Sequence, residues 1–534
     1  MKIRPIAAFI LAALVLFSLA ACGKEEAPPK ETVQTETLTP KPGLTGKDPA
    51  EEEPKAEEPE AAGPAPLQVL IADHYTAEYE TEGHYRLLCG VAWNTLALGP
   101  ESAAAYPALA AALEELRAED ESYAKEFMEE MLPYAEEELA WNPEYFYGFT
   151  SESTYLIQRA DEQILSIRAD ENTYTGGVHP NYWTYGINID PATGEKIVLT
   201  DVLTTIDDLP NLLTEKLQNK YPDEPFENLP DALMEYSADD YAWTMDYQGI
   251  TFWFSPYEIA AYASGLLTVR INFKEMPDLF VPEYTQIPDG SWALPLPLYS
   301  DVEIDGHDLW LGAYEQEDGL LAVSLTHNGT DYPLSELYSY FIRPYLVCHG
   351  DRYFLYIEMT AENDYNSFYV YELTDEGLVP RQVIENAGFD GIFVESEDSY
   401  GTWYEEVLTT PDHFALSSTI QCLGTWTGYR QYHIDPASGS IIPETEEYTV
   451  DGESRPIVSA IDLEVTLLPE EKQETIPAGT EFRLCRTDGE GNAELALPDG
   501  RLCRIEIKWN EEVWERQING IAEQECFTDL LYAG

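Results

Sequence analysis

The sequence predicts an α+β fold: antiparallel sheet with one long helical segment, then all-β segments to the end of the chain. Three observations predict it. Stretches rich in Tyr, Trp, Ile and Leu alternate with polar residues at the two-residue period of strands. One stretch between Tyr106 and Tyr134 instead repeats its apolar residues at helical spacing. Beyond residue 290, short strand-like runs recur between Gly- and Pro-bearing turns.

The chain opens with an address rather than with structure. Lys2 and Arg4 precede a short apolar run that closes on Leu19-Ala20-Ala21-Cys22. A basic start, a greasy stretch and small residues before the break mark an export signal rather than a membrane span. The Cys adds a thiol that can take a lipid. Residues 1–21 therefore read as a bacterial lipoprotein signal, cut between Ala21 and Cys22, with Cys22 lipidated. The expected location is the extracellular face of the cell membrane, lipid-anchored, in a Gram-positive-type envelope. Residues 22–66 read as a spacer. Nine prolines and the runs Glu51-Glu52-Glu53 and Glu57-Glu58 leave too few apolar groups to offset ordering entropy. Prolines and like charges keep such a segment extended.

The folded part starts near Leu67. Tyr75 to Tyr79 and Tyr85 to Trp93 read as strands. Tyr106, Leu109, Ala110, Leu113 and Leu116 share a helical face, continued by Tyr123, Phe127, Met131 and Tyr134. Pro107 suits the first turn, and Pro133 is expected to kink or end the second piece. A β region follows from Ser153. Leu165, Ile167 and Ala169 alternate inward, as do Trp183, Tyr185, Ile187 and Ile189, opposite Tyr182, Thr184 and Asn188. Asp190-Pro191-Ala192-Thr193-Gly194 is a turn, with Ile197 and Leu199 on the return strand. Asp207 or Asp208 caps a helix carrying Leu209, Leu212, Leu213 and Leu217. Strands follow at Trp243–Tyr247 and Ile250–Phe254, then a helical turn from Pro256 to Ala263 and a strand from Leu266 to Phe273.

Two local signatures carry a resemblance. Tyr174-Thr175-Gly176-Gly177-Val178-His179 is followed by Asn188-Ile189-Asp190, Thr193-Gly194 and Leu199-Thr200-Asp201-Val202-Leu203. The second signature is Tyr257-Glu258-Ile259-Ala260-Ala261-Tyr262-Ala263-Ser264-Gly265. In this order they resemble the exported α+β domain of RsiV-type proteins, over residues 67–275. That domain occurs in a lysozyme-sensing anti-sigma factor and beside polysaccharide-deacetylase domains. The resemblance implies a fold, an envelope setting and a binding role. It implies neither sigma-factor control nor catalysis, since no deacetylase domain and no cytosolic segment are recognisable.

Residues 290–460 read as a β-rich meander domain with two strand sets. One starts at His349-Gly350-Asp351 and ends at the turn Thr374–Gly377; the other starts at Pro411-Asp412-His413 and ends at Asp435–Gly439. They faintly resemble propeller blades, too few to close a propeller. Residues 461–534 resemble a bacterial SH3-like β-barrel, with short strands around Thr487-Asp488-Gly489 and Asp499-Gly500-Arg501.

Catalytic motifs are missing from the sequence. The eight histidines show neither HxxxH nor HExxH spacing, and there is no CxxC, GxSxG or GxxxxGK[ST]. Asp301, Asp305 and Asp308 around Gly306 miss the EF-hand spacing and read as an acidic turn. No cofactor, metal or catalytic residue is expected. His179 behind paired glycines, with Tyr257 and Glu258 of the second signature, are the candidate ligand-facing residues. The glycines more simply supply turn dihedrals, with His179 bonded to backbone. Six cysteines remain after Cys22: Cys89, Cys348, Cys422, Cys485, Cys503 and Cys526. Cys485 and Cys503, on successive strands, are the best-placed pair, and buried free thiols are the equal alternative.

Charge bounds the partners. Formal net charge is −70, and losing Lys2 and Arg4 with the signal takes it to −72. Such a surface repels nucleic acid and anionic membrane and steers basic proteins toward itself. The expected function is non-catalytic binding of an envelope ligand: a basic protein such as a muramidase, or wall glycan. The alternatives are a structural envelope-assembly lipoprotein, or a peptidoglycan-acting hydrolase or deacetylase with its site in residues 290–460.

Overall fold

The computed structural model of the chain describes residues 64–80, 85–226, 228–288, 291–304, 306–316, 321–339, 342–360, 366–389, 391–394, 402–450, 455–528 and 530–533. Ala21, Cys22, the spacer up to residue 63, His84 and Asp305 lie outside these residues.

Strands β1 (Val69–Tyr79) and β2 (Leu87–Leu98) pair antiparallel. A short helix α1 (Pro100–Ala105) leads into α2 (Pro107–Trp141), and β3 (Phe149–Ala160) then lies parallel to β2. Parallel neighbours need a crossover, which α2 supplies. β4 (Leu165–Tyr174) and β5 (Asn181–Ile189) extend the sheet antiparallel. Leu109 and Leu113 of α2 pack with Tyr155 and Ile157, and Ala124 and Phe127 pack with Cys89 and Val91. The buried Asp120 accepts a 2.6 Å hydrogen bond from the Tyr155 hydroxyl.

Pro133 does not end this helix, which runs on to Trp141. A proline there removes one backbone bond and crowds the preceding turn. Packing on both sides offsets that loss: Phe127 and Ala135 are buried, and Met131 and Leu139 pack in the same cluster. Past Phe127 the inward positions are Met131 and Ala135, so Tyr134 turns out to solvent instead of continuing the apolar face.

The next segment builds a second layer. It comprises α3 (Leu199–Val202), α4 (Leu209–Lys220), α5 (Leu229–Met234) and a three-stranded sheet of β6 (Ala242–Met245), β7 (Gly249–Phe254) and β8 (Leu267–Asn272). The expected return strand at Ile197 and Leu199 is a single bridge between Ile189 and Lys196. Asp201 accepts the Val198 N–H at 2.9 Å and turns the chain into α3.

This layer covers the face of β4 and β5 that alternation alone assigns to solvent. Ser166, Arg168, Thr184 and Asn188 are buried. Three of them join the layers by hydrogen bonds: Asn188 Nδ2 donates to the Trp243 carbonyl at 3.0 Å, Met245 N–H donates to Ser166 Oγ at 2.9 Å, and Thr184 N–H donates to Ser255 Oγ at 3.0 Å. Gly186 permits the approach, because a Cβ there would sit 1.7 Å from the Trp243 oxygen.

Arg159 and Asp161, at the end of β3, are fully buried and joined at 2.7 Å. Arg159 also donates to the carbonyls of Tyr284 and Gln286 at 2.6 and 2.7 Å. Asp161 Oδ1 accepts the N–H groups of Gln163 and Ile164. The pair thus fixes the chain as it leaves the second layer.

Beyond it, β9 (Ser291–Pro295) joins a sheet of β14 (Ile342–His349), β15 (Arg352–Thr360), β16 (Asn366–Thr374) and β17 (Gly377–Glu385). A four-stranded sheet of β10 (Asp301–Ile304), β11 (His307–Glu315), β12 (Leu321–His327) and β13 (Thr330–Ser339) packs on it. β18 (Gly391–Val394) and β19 (Thr402–Val407) return to the first sheet, where β19 pairs β1. The order there is β18-β19-β1-β2-β3-β4-β5. The two strand sets expected as similar blades belong to different sheets. β14–β17 sit with β9, while β20 (Phe414–Gln421) and β21 (Thr425–Ile434) open an extended sheet.

The C-terminal strands do not form a closed barrel. Glu481–Thr487 pairs with Tyr448–Val450, which pairs with β21, so the sheet continues across residue 461. Cys485 and Cys503 are not joined, and none of the six cysteines of the described residues forms a disulfide.

Removing one partner of a buried ion pair strands the other. Arg159→Met is therefore expected to lower unfolding free energy in urea by about 3–5 kcal/mol. Adding Asp161→Asn should recover part of that loss; equal loss in single and double variants would show that charge is not the cause.

Glu358 is fully buried, accepts the Phe389 N–H at 2.8 Å and faces Arg343 at 3.3 Å. Burial pushes its carboxyl up from 4.5 to about 7. Between those values the folded chain holds a proton that the unfolded chain has lost. Its contribution is fully present below about pH 4.5 and falls as pH rises through about 7. Glu358→Gln cannot ionise, so it should gain on the native chain across this window by about 3 kcal/mol. Urea melts of both proteins across the window check this; a difference that does not change with pH would refute it.

Candidate functional site

The loop between β4 and β5 carries the first candidate. Gly176 and Gly177 take φ of 92° and 100°, which side chains other than glycine rarely adopt. The Tyr174 hydroxyl donates to the Gly177 carbonyl at 3.1 Å and braces the turn. Val178 is 98% exposed. His179 Nδ1 then donates to the Pro180 carbonyl at 2.7 Å, as the Tyr262 hydroxyl also does at 2.7 Å.

That shared carbonyl brings two rings together. His179 stacks on Tyr262 with centroids 3.9 Å apart and planes 21° apart. Tyr257 leans on Tyr262 at 5.5 Å and is 65% exposed. Tyr257 has φ of 69°, a left-handed conformation that costs a side-chain-bearing residue about 1–2 kcal/mol. Its neighbour holds it there. Glu258 accepts the Ser255 N–H at 2.7 Å and the Tyr236 hydroxyl at 3.0 Å. Ser255 Oγ in turn accepts the Thr184 N–H at 3.0 Å, tying the turn to β5. Burial raises the Glu258 carboxyl above its ordinary range.

The structure therefore brings His179 and Tyr257 onto one ring platform, with Tyr262 between them. Glu258 is turned inward and positions Tyr257 rather than sharing its surface. Tyr262 belongs to the second signature, yet nothing in the sequence singles it out. Its role follows only from the packing of residues about eighty positions apart, brought together by the hydroxyl on Pro180.

A second surface lies at the end of α2. The final turns of the helix are flanked by two grooves. One, of about 540 Å³, is lined by Met131, Tyr134, Glu137, Glu138, Trp141 and Thr175. The other, of about 740 Å³, is lined by Glu78, Tyr79, Glu80, Arg86, Glu136 and Pro143. Arg86 donates to the Pro143 carbonyl and anchors the chain leaving the helix. Trp141 is 82% exposed and Tyr134 61%, and Tyr145 and Tyr147 stand out beyond them. Glu129, Glu130, Glu136 and Glu137 are exposed on the same helix. Thr175 adjoins the paired glycines, so the first groove reaches the loop that ends in His179.

Tyr134 and Trp141 are seven residues apart, a spacing that places both on one helix face, among glutamates. That signal is present in the sequence, but the apolar reading of Tyr134 conceals it. Among the described residues no group of three or more His, Cys, Asp or Glu side chains is arranged to hold a metal ion. Among the other histidines, His74 stacks on Trp93, His307 bonds His327, and His413 lies 3.0 Å from Glu444.

Comparison with known proteins matches part of the chain that carries these residues. Residues 198–274 match the family model described as a protein of unknown function, DUF3298. The match holds Tyr257, Glu258 and Tyr262, and begins after His179. No curated protein matches the chain. A member of the DUF3298 family from Bacteroides fragilis is 21% identical, covering 41% of this chain and 95% of its own, with a TM-score of 0.31. A DUF3298 family protein from Pseudomonas aeruginosa is 17% identical, covering 42% of this chain and 97% of its own, with a TM-score of 0.28. Residues 198–274, from the start of α3 to the end of β8, are a DUF3298 domain.

Proposed function

We propose that this chain is a non-catalytic lipoprotein that binds a basic protein at the outer face of the cell membrane. The RsiV-type resemblance of residues 67–275 and the signal of residues 1–21 before Cys22 support the setting. The spacer of residues 22–66 holds the folded part away from the lipid.

The observation that carries the binding reading is the end of α2. Exposed Trp141, Tyr134, Tyr145 and Tyr147 stand among exposed glutamates beside two grooves. Aromatic faces attract Lys and Arg side chains, and large rings dominate the energetics of most protein interfaces. Surrounding carboxylates speed the encounter with a cationic partner and make it salt-sensitive. A basic muramidase has the required charge.

The ring platform favours a second ligand class, wall glycan. His179, Tyr262 and Tyr257 present stacked, partly exposed amphipathic faces to which a saccharide ring can apply its apolar side.

Three experiments test these readings. Cys22→Ala should move the protein from the membrane fraction to the medium; retention in the membrane would remove the anchor. Titration of the native chain with lysozyme should show affinity that falls steeply as salt is raised. Trp141→Ala with Tyr134→Ala should weaken it by about tenfold or more. Salt-independent binding, or binding untouched by those substitutions, would sink the protein-ligand reading. Tyr257→Ala should reduce retention on insoluble peptidoglycan without changing the lysozyme titration.

A further inference from the structure

A third concave site, away from the ring platform and the end of α2, has walls of opposite charge. It is a cleft of about 490 Å³ between the DUF3298 domain with β4 and the β10–β11 hairpin. This is within the size range of small-molecule sites. Its floor is apolar, with Trp253 on one side and the run Leu294-Pro295-Leu296-Pro297 on the other.

One wall is cationic, in a chain that has only 29 Lys and Arg against 99 Asp and Glu. Arg168 lies over the Trp253 ring, 4.6 Å from its centroid. Its Nε and Nη2 are held by Asp170 at 3.0 and 2.8 Å, which leaves Nη1 without a partner among the described residues. Lys220 ends α4 and donates to Thr268 Oγ1 at 3.1 Å, with no carboxylate in ion-pair range among the described residues. Arg270, balanced by a carboxylate as Arg168 is by Asp170, has all three nitrogens engaged. Its Nη2 meets Asp246 at 2.6 Å and its Nε meets Asn272 at 2.8 Å, so it shapes the wall while its charge is balanced.

The opposite wall is anionic. Asp301 and Glu303 on β10 and Asp308 on β11 line it, and none forms an ion pair among the described residues. The two walls do not neutralise each other by direct contact. A molecule carrying both charges would satisfy unpaired groups on each side at once, and charge-assisted hydrogen bonds are the stronger kind.

We propose that this cleft binds a small zwitterion of the amino-acid or short-peptide class. Its carboxylate lies against Arg168 and Lys220, its ammonium against Asp301 and Glu303, and its apolar body over Trp253. The cleft does not depend on the basic-protein reading, because no residue of the α2 end lines it.

The test is calorimetric titration of the native chain with three probes of one size: alanyl-alanine, its N-acetyl form and its C-terminal amide. Leucyl-alanine and phenylalanyl-alanine extend the panel to larger bodies. At least one free dipeptide should bind more tightly than about 1 mM, and each of its capped forms about tenfold more weakly. Lys220→Gln and Glu303→Gln are exposed changes that leave the core intact. Each should weaken the free dipeptide, Lys220→Gln without affecting the amide and Glu303→Gln without affecting the N-acetyl form. Absence of binding by every free dipeptide, equal binding of capped forms, or indifference to both substitutions would overturn the proposal.

Discussion

The buried pair of Arg159 and Asp161 is the contact on which the arrangement of layers depends. Taking two charges out of water costs several kcal/mol per ion unless every lone pair and proton is met. Here each guanidinium nitrogen and each carboxylate oxygen has a partner. Arg159 reaches Asp161 and the carbonyls of Tyr284 and Gln286, and Asp161 accepts the N–H groups of Gln163 and Ile164. One guanidinium therefore holds the end of β3, the turn into β4 and the segment that leaves the DUF3298 domain. β9, which starts soon after that segment, begins the next sheet. A misplaced guanidinium would leave Asp161 and the carbonyls of Tyr284 and Gln286 unmet, which ties the docking of the layers to this contact.

Polar contacts recur where the second layer meets β4 and β5. Ser166 and Asn188 face Met245 and Trp243, and Thr184 bonds Ser255. An apolar seam would bury as much area with less directional preference. The polar seam instead sets the register of β6–β8 on β4–β5, and with it the position of the turn bearing Tyr257. The ring platform is thus a consequence of layer docking: β5 supplies the Thr184 N–H, Ser255 accepts it, and Glu258 fixes the turn that presents Tyr257.

Electrostatics divide the molecule's surface by task. Carboxylates crowd the outer side of α2, where solvent screens them and a cationic partner can reach them. Cations gather mostly in pairs with carboxylates, as at Arg343, Arg352 and Arg381. Against that pattern, the unpaired Lys220 and the open Nη1 of Arg168 stand apart. The loop from Thr175 to Pro180 links the helix-end groove to the ring platform, so a ligand on one is a short chain length from the other.

Much of the local structure was legible in the sequence because it is governed by near neighbours. The periodicity of Leu109 and Leu113, the alternation of Leu165, Ile167 and Ala169, and the turn at Asp190–Gly194 all appear where spacing places them. Helix α4, strands β6 to β8 and the paired-glycine loop do as well. Composition alone also bounds charge. What only the tertiary structure decided lies in long-range pairing. β19 joins β1 across more than three hundred residues, the tail strands continue the β20–β21 sheet instead of closing a barrel, and Thr184 and Asn188 become interior. Tyr134 faces solvent and Tyr262 stacks on His179 for the same reason. A residue's side of a strand follows from its own two neighbours, but whether that side meets water follows from which distant layer docks there.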